Sequence, residues 1–499
     1  MEWKLKKELC PYCCTILEQK QMQEQTQEVR LADAMPDIGR VLACRGQMLI
    51  RGKEWHSDQV GMNGGVMVKV LYVPEDGSEV RSVDCWIPVQ MKWDLDQGQP
   101  EGILHLQSVL RGVDARALST RKLMVRCTVG VLAKAMVNRE AELYTYQMPE
   151  EDIQLRMQTY PLMVARESGE KTFSLDEELT APEGMAGVRK LLCATVEPEI
   201  SECKVLAGRL VFRGDANVHI LYADGDGQVS CMDYPVGFSQ YAQLDLDHSQ
   251  HAQADMDIQL TTMEMEVDPE GRVRMQCGMT AQYMVRDRVM LETVTDAYSL
   301  RRSVEQTTQM LQMPVCLDTI RREIPVSKTV PSGAKSVVDI TWHWDIAGGV
   351  RHSDGTQMEL QGVFDVLYVD ENGALQGHTA RFEDSFLLPT APENHVCVKP
   401  IWQANPQGKV TEDGLTMGAM AALDIAVEAD AGVNMVTQLK LGPVQPADPA
   451  RPSLILLRSC TDSLWDIAKE CGSTVEAIRQ ANHLEGEPAP DSFVLVPVC

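Results

Sequence analysis

The residues Cys10-Pro11-Tyr12-Cys13-Cys14 place two thiols at the Cys-x-x-Cys spacing of thiol–disulfide exchange sites. Such a site needs its first cysteine at a helix N-terminus, after a strand, because that position lowers the thiol pKa. Only nine residues precede Cys10 and no strand-helix-strand unit follows, so the sequence favours an N-terminal tail whose thiols are close by chance. Thiol redox chemistry, metal binding and crosslinking between molecules remain alternatives.

Two histidines three residues apart form a second candidate, a site for a divalent metal ion. They are His248 and His251, and the flanking carboxylates are Asp245, Asp247, Asp255 and Asp257. Imidazole and carboxylate groups suit such ions, but dense Asp, Ser and Gln residues predict a solvated loop instead. The sequence contains no nucleophile elbow, phosphate loop, dinucleotide fingerprint or His-Glu-x-x-His motif. We therefore expect no enzyme activity, no metal and no cofactor.

The composition excludes several classes of partner. The 499 residues carry 46 basic and 72 acidic side chains, a net charge of −26. This charge repels nucleic acids and anionic membranes. No apolar run is long enough to cross a bilayer, and no apolar segment follows the first lysines as it would in a secretory signal. The 15 cysteines, which form no regular framework, then indicate reduced thiols in a cytosol.

The C-terminal residues 453–499 predict a compact strand-helix-helix-strand module. The apolar runs Leu454 to Leu457 and Phe493 to Val496 indicate its two strands. Asp462 is a suitable N-cap for a first helix, and Gly472 is suited to end that helix. The capping box Ser473-Thr474-Val475-Glu476 then predicts the start of a second helix.

This module resembles the LysM family. The family signature Gly-Asp-Thr-Leu-Trp-x-Ile-Ala is matched by the segment from Thr461 to Ala468, and the family's Asn before the closing loop is matched by Asn482. Two loop positions depart from the pattern, since Thr461 and Asp491 stand where the family has Gly. The resemblance implies loops that bind N-acetylglucosamine glycans or, with these departures, a protein. The candidate binding residues are Thr461, Asp462, Ser463, Trp465, Asn482, His483 and Asp491. Trp465 could equally cover the helix pair.

The middle of the chain contains three long repeats. Val70-Leu71-Tyr72 recurs as Ile220-Leu221-Tyr222 and as Val366-Leu367-Tyr368. A hairpin-forming pair, in which both residues readily take a positive φ, follows each motif at the same offset. The pairs are Asp76-Gly77, Asp226-Gly227 and Asn372-Gly373. A long strand with alternating apolar residues follows each tyrosine at one spacing, which predicts duplication of a whole antiparallel β domain, either a sandwich or an open barrel.

The repeats and composition divide the chain into six parts. The predicted parts are an N-terminal segment, 1–26; three β repeats, 27–158, 159–300 and 301–441; a proline-rich linker, 442–452; and the LysM-like module, 453–499. The segment from Leu300 to Met313 is a candidate helical connector. Prolines at every third position of the linker predict a polyproline II arm of roughly 34 Å that holds the module away from the β repeats. A flexible linker is the alternative.

Three β repeats followed by such a module resemble the SPOCS-repeat spore coat-assembly proteins of endospore-forming Firmicutes. The resemblance covers nearly the whole chain and includes Met35-Pro36-Asp37-Ile38-Gly39-Arg40-Val41 in the first repeat. It implies a non-enzymatic adaptor in the mother-cell cytoplasm, whose LysM module contacts a coat morphogenetic protein at the forespore surface. The β repeats would serve association, including self-association. The alternative is a peptidoglycan-binding protein of the spore cortex or cell wall.

Overall fold

A computed structural model describes residues 2–3, 5–145, 152–182, 187–391, 393–401, 406–446, 450–458, 463–489 and 491–498, with the backbone alone for 2–3. In these residues, long antiparallel strands form three units of similar topology. A small C-terminal module contains two short helices. The prediction of a mainly β chain with three repeat units and a β-α-α-β module is confirmed.

The first unit is made of two three-stranded antiparallel sheets that enclose one core. A short strand, β1 (Glu2–Trp3), precedes it and pairs with the last strand of the third unit. The strands of the unit are β2 (Lys6–Arg30), β3 (Ile38–Trp55), β4 (Gln59–Pro74), β5 (Arg81–Asp94), β6 (Ile103–Ser119) and β7 (Lys122–Thr145). One sheet has the order β3-β4-β5, and the other has the order β2-β7-β6.

The second and third units repeat this arrangement. The second comprises β8 (Ile153–Leu179), β9 (Lys190–Leu206), β10 (Arg209–Ala223), β11 (Val229–Gln243), β12 (Gln253–Val267) and β13 (Val273–Ser299). The third comprises β14 (Val304–Val330), β15 (Ala334–His352), β16 (Gly355–Asp370), β17 (Leu375–Leu388), β18 (His395–Ile401), β19 (Gln407–Thr411) and β20 (Gly414–Leu441). The fifth strand of the third unit is therefore divided in two, and both parts pair with β20.

Three sequence-based expectations about connections and boundaries are wrong. Residues 1–26 are not a separate tail, because β2 begins at Lys6 and pairs with β7 along its whole length. From Val304 onward, the proposed helical connector is the start of strand β14, paired with β20. Its apolar residues Leu311, Met313 and Val315 recur at every second position and face a common core, so the period of two overrides the helical interpretation. The predicted boundary at 158/159 lies inside β8.

The repeated tripeptide has a structural explanation in the alternation of side chains along a strand. Val70 and Tyr72 face the core of the first unit, whereas Leu71 points the other way. Leu71, Leu221 and Leu367 meet in a separate apolar cluster to which all three units contribute. Each copy of the motif therefore holds its own sandwich together with one face and joins the three sandwiches with the other.

The predicted hairpins form, but with a different turn. Gly77, Gly227 and Gly373 have φ values of 70°, 79° and 80°, and the residue before each glycine does not take a positive φ. In the second hairpin the Asp224 carboxylate accepts the N–H groups of Asp226 and Gln228, each at 2.9 Å. A single glycine in the left-handed region is typical of longer hairpin loops built on a type I turn.

The first and last strands of each unit extend beyond the sandwich and pack together as three two-stranded ribbons. Their shared core combines Tyr12 of the first ribbon, Leu291 of the second and Met313 of the third. We refer to these ribbons, which comprise residues 6–15 with 136–145, 153–164 with 287–299, and 304–315 with 429–441, as the stalk. The stalk and the three sandwiches form one continuous body.

A buried ion network also joins the three units. Arg45 of the first unit donates to Asp339 Oδ2 of the third at 2.9 Å, and His219 Nε2 of the second lies 2.8 Å from Asp339 Oδ1. His219 Nδ1 lies 2.7 Å from Asp233 Oδ1. Burial by itself would lower the pKa of His219, but the hydrogen bonds with Asp233 and Asp339 outweigh burial and raise it to about 9.

A cavity of about 210 Å³ lies between the three sandwiches. Gln47, Glu197 and His343 line it from the first, second and third units. Each of them pairs across the sheet with the residue that lies five positions before the tyrosine of its own repeat. The three residues therefore occupy equivalent positions in the three units. Burial raises the pKa of Glu197 to about 7 because no cation compensates the desolvation of its carboxylate.

Candidate functional site

The C-terminal module has the predicted order of strands and helices. It comprises β21 (Leu454–Arg458), α1 (Leu464–Cys471), α2 (Val475–Asn482) and β22 (Phe493–Pro497), and the two strands are antiparallel. The core of the module consists of Leu464, Ile467, Ala468, Cys471, Ile478, Val494 and Val496. Thr461 and Asp462, two of the predicted site residues, lie outside the described residues.

The helices begin one residue later than the sequence suggested. Ser463, rather than Asp462, is the N-cap of α1, and its hydroxyl accepts the N–H of Asp466. Thr474, rather than Ser473, caps α2 by accepting the N–H of Ala477 at 3.0 Å. The Ser473 hydroxyl instead donates to the carbonyl of Pro497. Gly472 ends α1 as predicted, with a φ of 66°.

Asn482 lies at the end of α2 and connects that helix to β22. Its Nδ2 donates to the carbonyls of Ile478 and Leu495 at 2.8 and 2.6 Å, and its Oδ1 accepts the N–H of Leu495 at 2.7 Å. Both ends of the amide are thus bonded to the backbone. This arrangement accounts for the Asn in structural terms and leaves little of its hydrogen-bonding capacity for a ligand.

The loop between α2 and β22 closes against the start of α1. The Glu487 carboxylate accepts the backbone N–H of Leu464 at 2.7 Å, one of the N–H groups that a helix N-terminus leaves without an intrahelical partner. His483 and Asp491 lie on the same loop, are exposed and have φ values of 53° and 61°. Asp491 pairs with Arg458 at 3.3 Å. Sequence reasoning missed Glu487, which no motif distinguishes.

Trp465 faces the body rather than solvent. Its indole Nε1 donates to Asp296 Oδ2 at 2.8 Å, and Lys469 Nζ lies 2.8 Å from both oxygens of the same carboxylate. The ring packs edge-on against Tyr298, with centroids 4.9 Å apart. The Tyr298 hydroxyl donates to the carbonyl of Ser473 at 2.9 Å. Asp296 and Tyr298 belong to β13, so this contact, which we call the dock, joins the module to the end of the stalk.

The predicted arm that would hold the module away from the β repeats is therefore wrong. Tyr298 and Leu300 of the body pack into the core of the module. The described ends of the linker also contact their neighbours, since the N–H groups of Gly442 and Gln445 donate to the carbonyls of Ser303 and Arg301. Apolar burial and a charged hydrogen-bond cluster together favour the docked position.

The dock explains the electrostatics of Asp296. Burial alone would raise the pKa of this carboxyl group, but hydrogen bonds from Lys469, Trp465 and Gln306 outweigh burial and lower it. Asp296 was not predicted from the sequence, because the period-two pattern of a strand does not indicate which polar residue meets a module about 170 positions later.

The cysteine candidate does not have the geometry of a redox site. Cys10 and Cys13 are buried in β2, where an odd separation directs side chains to opposite faces. Burial raises the pKa of both thiols, that of Cys13 to about 12. A thiolate nucleophile requires the opposite shift. All of the cysteines in the described part of the chain are free thiols.

The histidine candidate is divided between separate contacts. The His248 side chain is buried, with Nε2 3.1 Å from Glu167 Oε2, while His251 is exposed. Asp255 forms ion pairs with Lys399 and Arg286. Across the described residues, no three His, Cys, Asp or Glu side chains are grouped as metal ligands.

Comparisons with known proteins identify two domains in this chain. Residues 188–268, which include β9 to β12 of the second unit, match the family described as SipL, SPOCS domain. Residues 461–487 match the LysM domain family. No curated protein and no solved structure matches the chain. Neither helix of the described chain has the length and hydropathy of a membrane span.

Proposed function

We propose that this chain, in which a SPOCS domain precedes a LysM domain, is a non-enzymatic adaptor of endospore coat assembly. Its three-unit body acts as a scaffold, and its LysM module binds a coat morphogenetic protein. Both matched families are non-catalytic, which is consistent with this role. Placement at the forespore surface, on the mother-cell side, belongs to the proposal and rests on the resemblance to SPOCS-repeat proteins.

The observation that carries the proposal is the dock between Asp296, Tyr298 and the first helix of the module. An adaptor that joins two partners needs binding surfaces held at a fixed distance from each other. The dock holds the loops of the module in a constant position relative to the three units. Trp465 and Lys469 are engaged in the dock, so a partner must be bound by other faces of the module.

Closure of the loops by Glu487 favours a protein over a glycan as the ligand. Free N–H groups at a helix N-terminus are natural donors to a ligand oxygen. In this chain the N–H of Leu464 already donates to Glu487, and the Asn482 amide is bonded to backbone. The module as a whole carries a net negative charge, since residues 453–499 contain seven acidic and three basic side chains.

Peptidoglycan binding is the second candidate function, and the match of residues 461–487 to the LysM family favours it. The two candidates make opposite predictions for Glu487. If the carboxylate blocks a glycan groove, Glu487→Ala should open the groove and raise retention on peptidoglycan. If the module binds glycan in its present form, the substitution should leave retention unchanged or reduce it.

The experiment uses the full chain, because the core of the module includes Tyr298 of the body. Wild type, Glu487→Ala and the matched exposed control Glu485→Ala are incubated with insoluble peptidoglycan and, separately, with a lysate of sporulating cells. We expect weak retention of wild type on peptidoglycan and capture of a coat protein from the lysate. Strong peptidoglycan retention of wild type without any protein partner would contradict the adaptor function.

A further inference from the structure

The outer face of the LysM sheet carries an unusual group of exposed apolar side chains. Leu454, Leu456 and Phe493 are 50%, 64% and 69% exposed. In the strand register Leu456 lies opposite Leu495, Leu454 lies opposite Pro497 and Phe493 lies opposite Arg458. The five apolar side chains therefore share one face of the sheet with Arg458, which pairs with Asp491 at 3.3 Å. The opposite face of the same strands, including Ile455 and Val494, packs on the helices.

The face has no structural role within the described chain. The module contacts the body through α1 and the turn after it, at Trp465, Lys469 and Ser473. The outer sheet face lies on the other side of the strands from the helices. Exposed clusters of large apolar residues on a small domain are typical of interaction surfaces. The five apolar side chains of this face offer a sugar no hydrogen bonds, and Arg458 beside them is already paired with Asp491.

We propose that this face is the partner-binding surface of the LysM module, and that its occupant is a protein segment with apolar side chains flanked by lysine or arginine. This inference rests on the proposed function and deepens it. It assigns partner binding to the sheet face formed by Leu454, Leu456, Phe493, Leu495 and Pro497. The loop residues Ser463, His483 and Asp491 are then peripheral to the contact.

Charge selects this occupant over the others. Residues 453–499 carry a net charge of −4, and the whole chain carries −26. A second copy of this chain and an anionic membrane would both be repelled, whereas a basic rim around an apolar centre would be attracted. Aliphatic side chains bury well against a protein surface, and the net negative charge of the module complements the basic rim.

The test places a photo-crosslinking benzophenone side chain at position 456 of the full chain in sporulating cells. Matched probes replace Met310, which is 58% exposed on the stalk, and His483 on the loop. We expect the probe at 456 to capture one protein through a segment in which apolar residues adjoin Lys or Arg. The Met310 probe should not capture that protein, and added salt should weaken the capture when the crosslinking is repeated in a lysate of these cells.

Substitution supplies the second measurement. Because Leu454 and Leu456 are exposed, Leu454→Ser and Leu456→Ser should leave the fold intact and reduce capture by the probe at His483 about tenfold each. Unchanged capture in both variants would overturn the proposal. Crosslinks at position 456 to another copy of this chain, to lipid, or at the level of the Met310 probe would also overturn it.

The outcomes separate this inference from the proposed function. If the His483 probe captures a coat protein and the probe at 456 does not, the module docks through its loops and only the sheet-face inference fails. If neither probe captures a protein and wild type is retained on peptidoglycan, the adaptor function itself fails.

Discussion

Asp296 accepts a hydrogen bond from the indole of Trp465 across 2.8 Å, although the two residues are separated by 169 positions in the chain. The first belongs to the last strand of the second SPOCS-like unit, and the second belongs to the LysM signature. Trp465, which was predicted to be a candidate binding residue, therefore belongs to a contact within the chain. This contact also fixes the orientation of the module relative to the three units.

Replacement of Asp296 should release the module. Asp296→Ala removes the acceptor for Trp465 and Lys469 and leaves a partly buried indole N–H without its partner, which costs about 1–3 kcal/mol. We expect amide hydrogen exchange in α1 to accelerate about tenfold or more. The control is Glu292→Ala, an exposed position on the same strand. Equal exchange rates in both variants would contradict the dock.

The buried ion network at Asp339 should make the folded chain less stable at alkaline pH. The pKa of His219 is raised to about 9 in the folded chain, above its ordinary value of 6.5. The stabilisation is therefore fully present below about pH 6.5 and is lost as the pH rises through 9. The melting temperature of wild type should fall between pH 7 and pH 10. His219→Gln should flatten this part of the profile, while the exposed control His251→Gln should retain it.

Glu197 should have the opposite effect on stability, because its carboxylate is desolvated without a cation. Its pKa is raised from 4.5 to about 7, so folding is favoured at acidic pH and stability declines as the pH rises from 4.5 to 7. Glu197→Gln should stabilise the chain at pH 8, by up to about 3 kcal/mol, and have little effect at pH 4.5. Denaturant unfolding at the two pH values measures this. Glu199→Gln on the same strand is the control, and an equal gain in that variant would refute the assignment.

Cys10 and Cys13 should be chemically inert in the folded protein. Burial raises the pKa of Cys13 to about 12, and only the thiolate is nucleophilic. In native chain at pH 8, iodoacetamide should label Cys13 far more slowly than after unfolding in denaturant, as measured by mass spectrometry of the peptides. A Cys10→Ser/Cys13→Ser variant should retain partner capture. Loss of capture by a folded variant would revive the redox alternative.

Local patterns were sufficient to predict the repeat architecture. The tyrosine-containing tripeptide and the alternating strand after it predicted three β units, because a period of two places one face of a strand against a core. The same alternation could not show that Leu71, Leu221 and Leu367 meet at one axis. That contact depends on how whole units are placed, which is a long-range property.

The helical module was predicted closely, since capping residues and helix periodicity act over a few positions. The errors there were of one residue, at Ser463 and Thr474, where neighbouring residues with similar capping ability compete. The linker was the larger error. Prolines at every third position predicted an extended arm, but a spacing rule contains no information about the apolar contact between Tyr298 and Trp465.

By itself, the sequence determined the class of the protein: a chain of three β repeats ending in a LysM module, with an acidic surface and no catalytic motif. Only the tertiary structure decided which residues are available to a partner. It directed Trp465 inward to Asp296, bonded the Asn482 amide to backbone and left Leu456 and Phe493 exposed. The reason is physical, because secondary structure follows from neighbouring residues, whereas exposure follows from contacts between segments far apart in the chain.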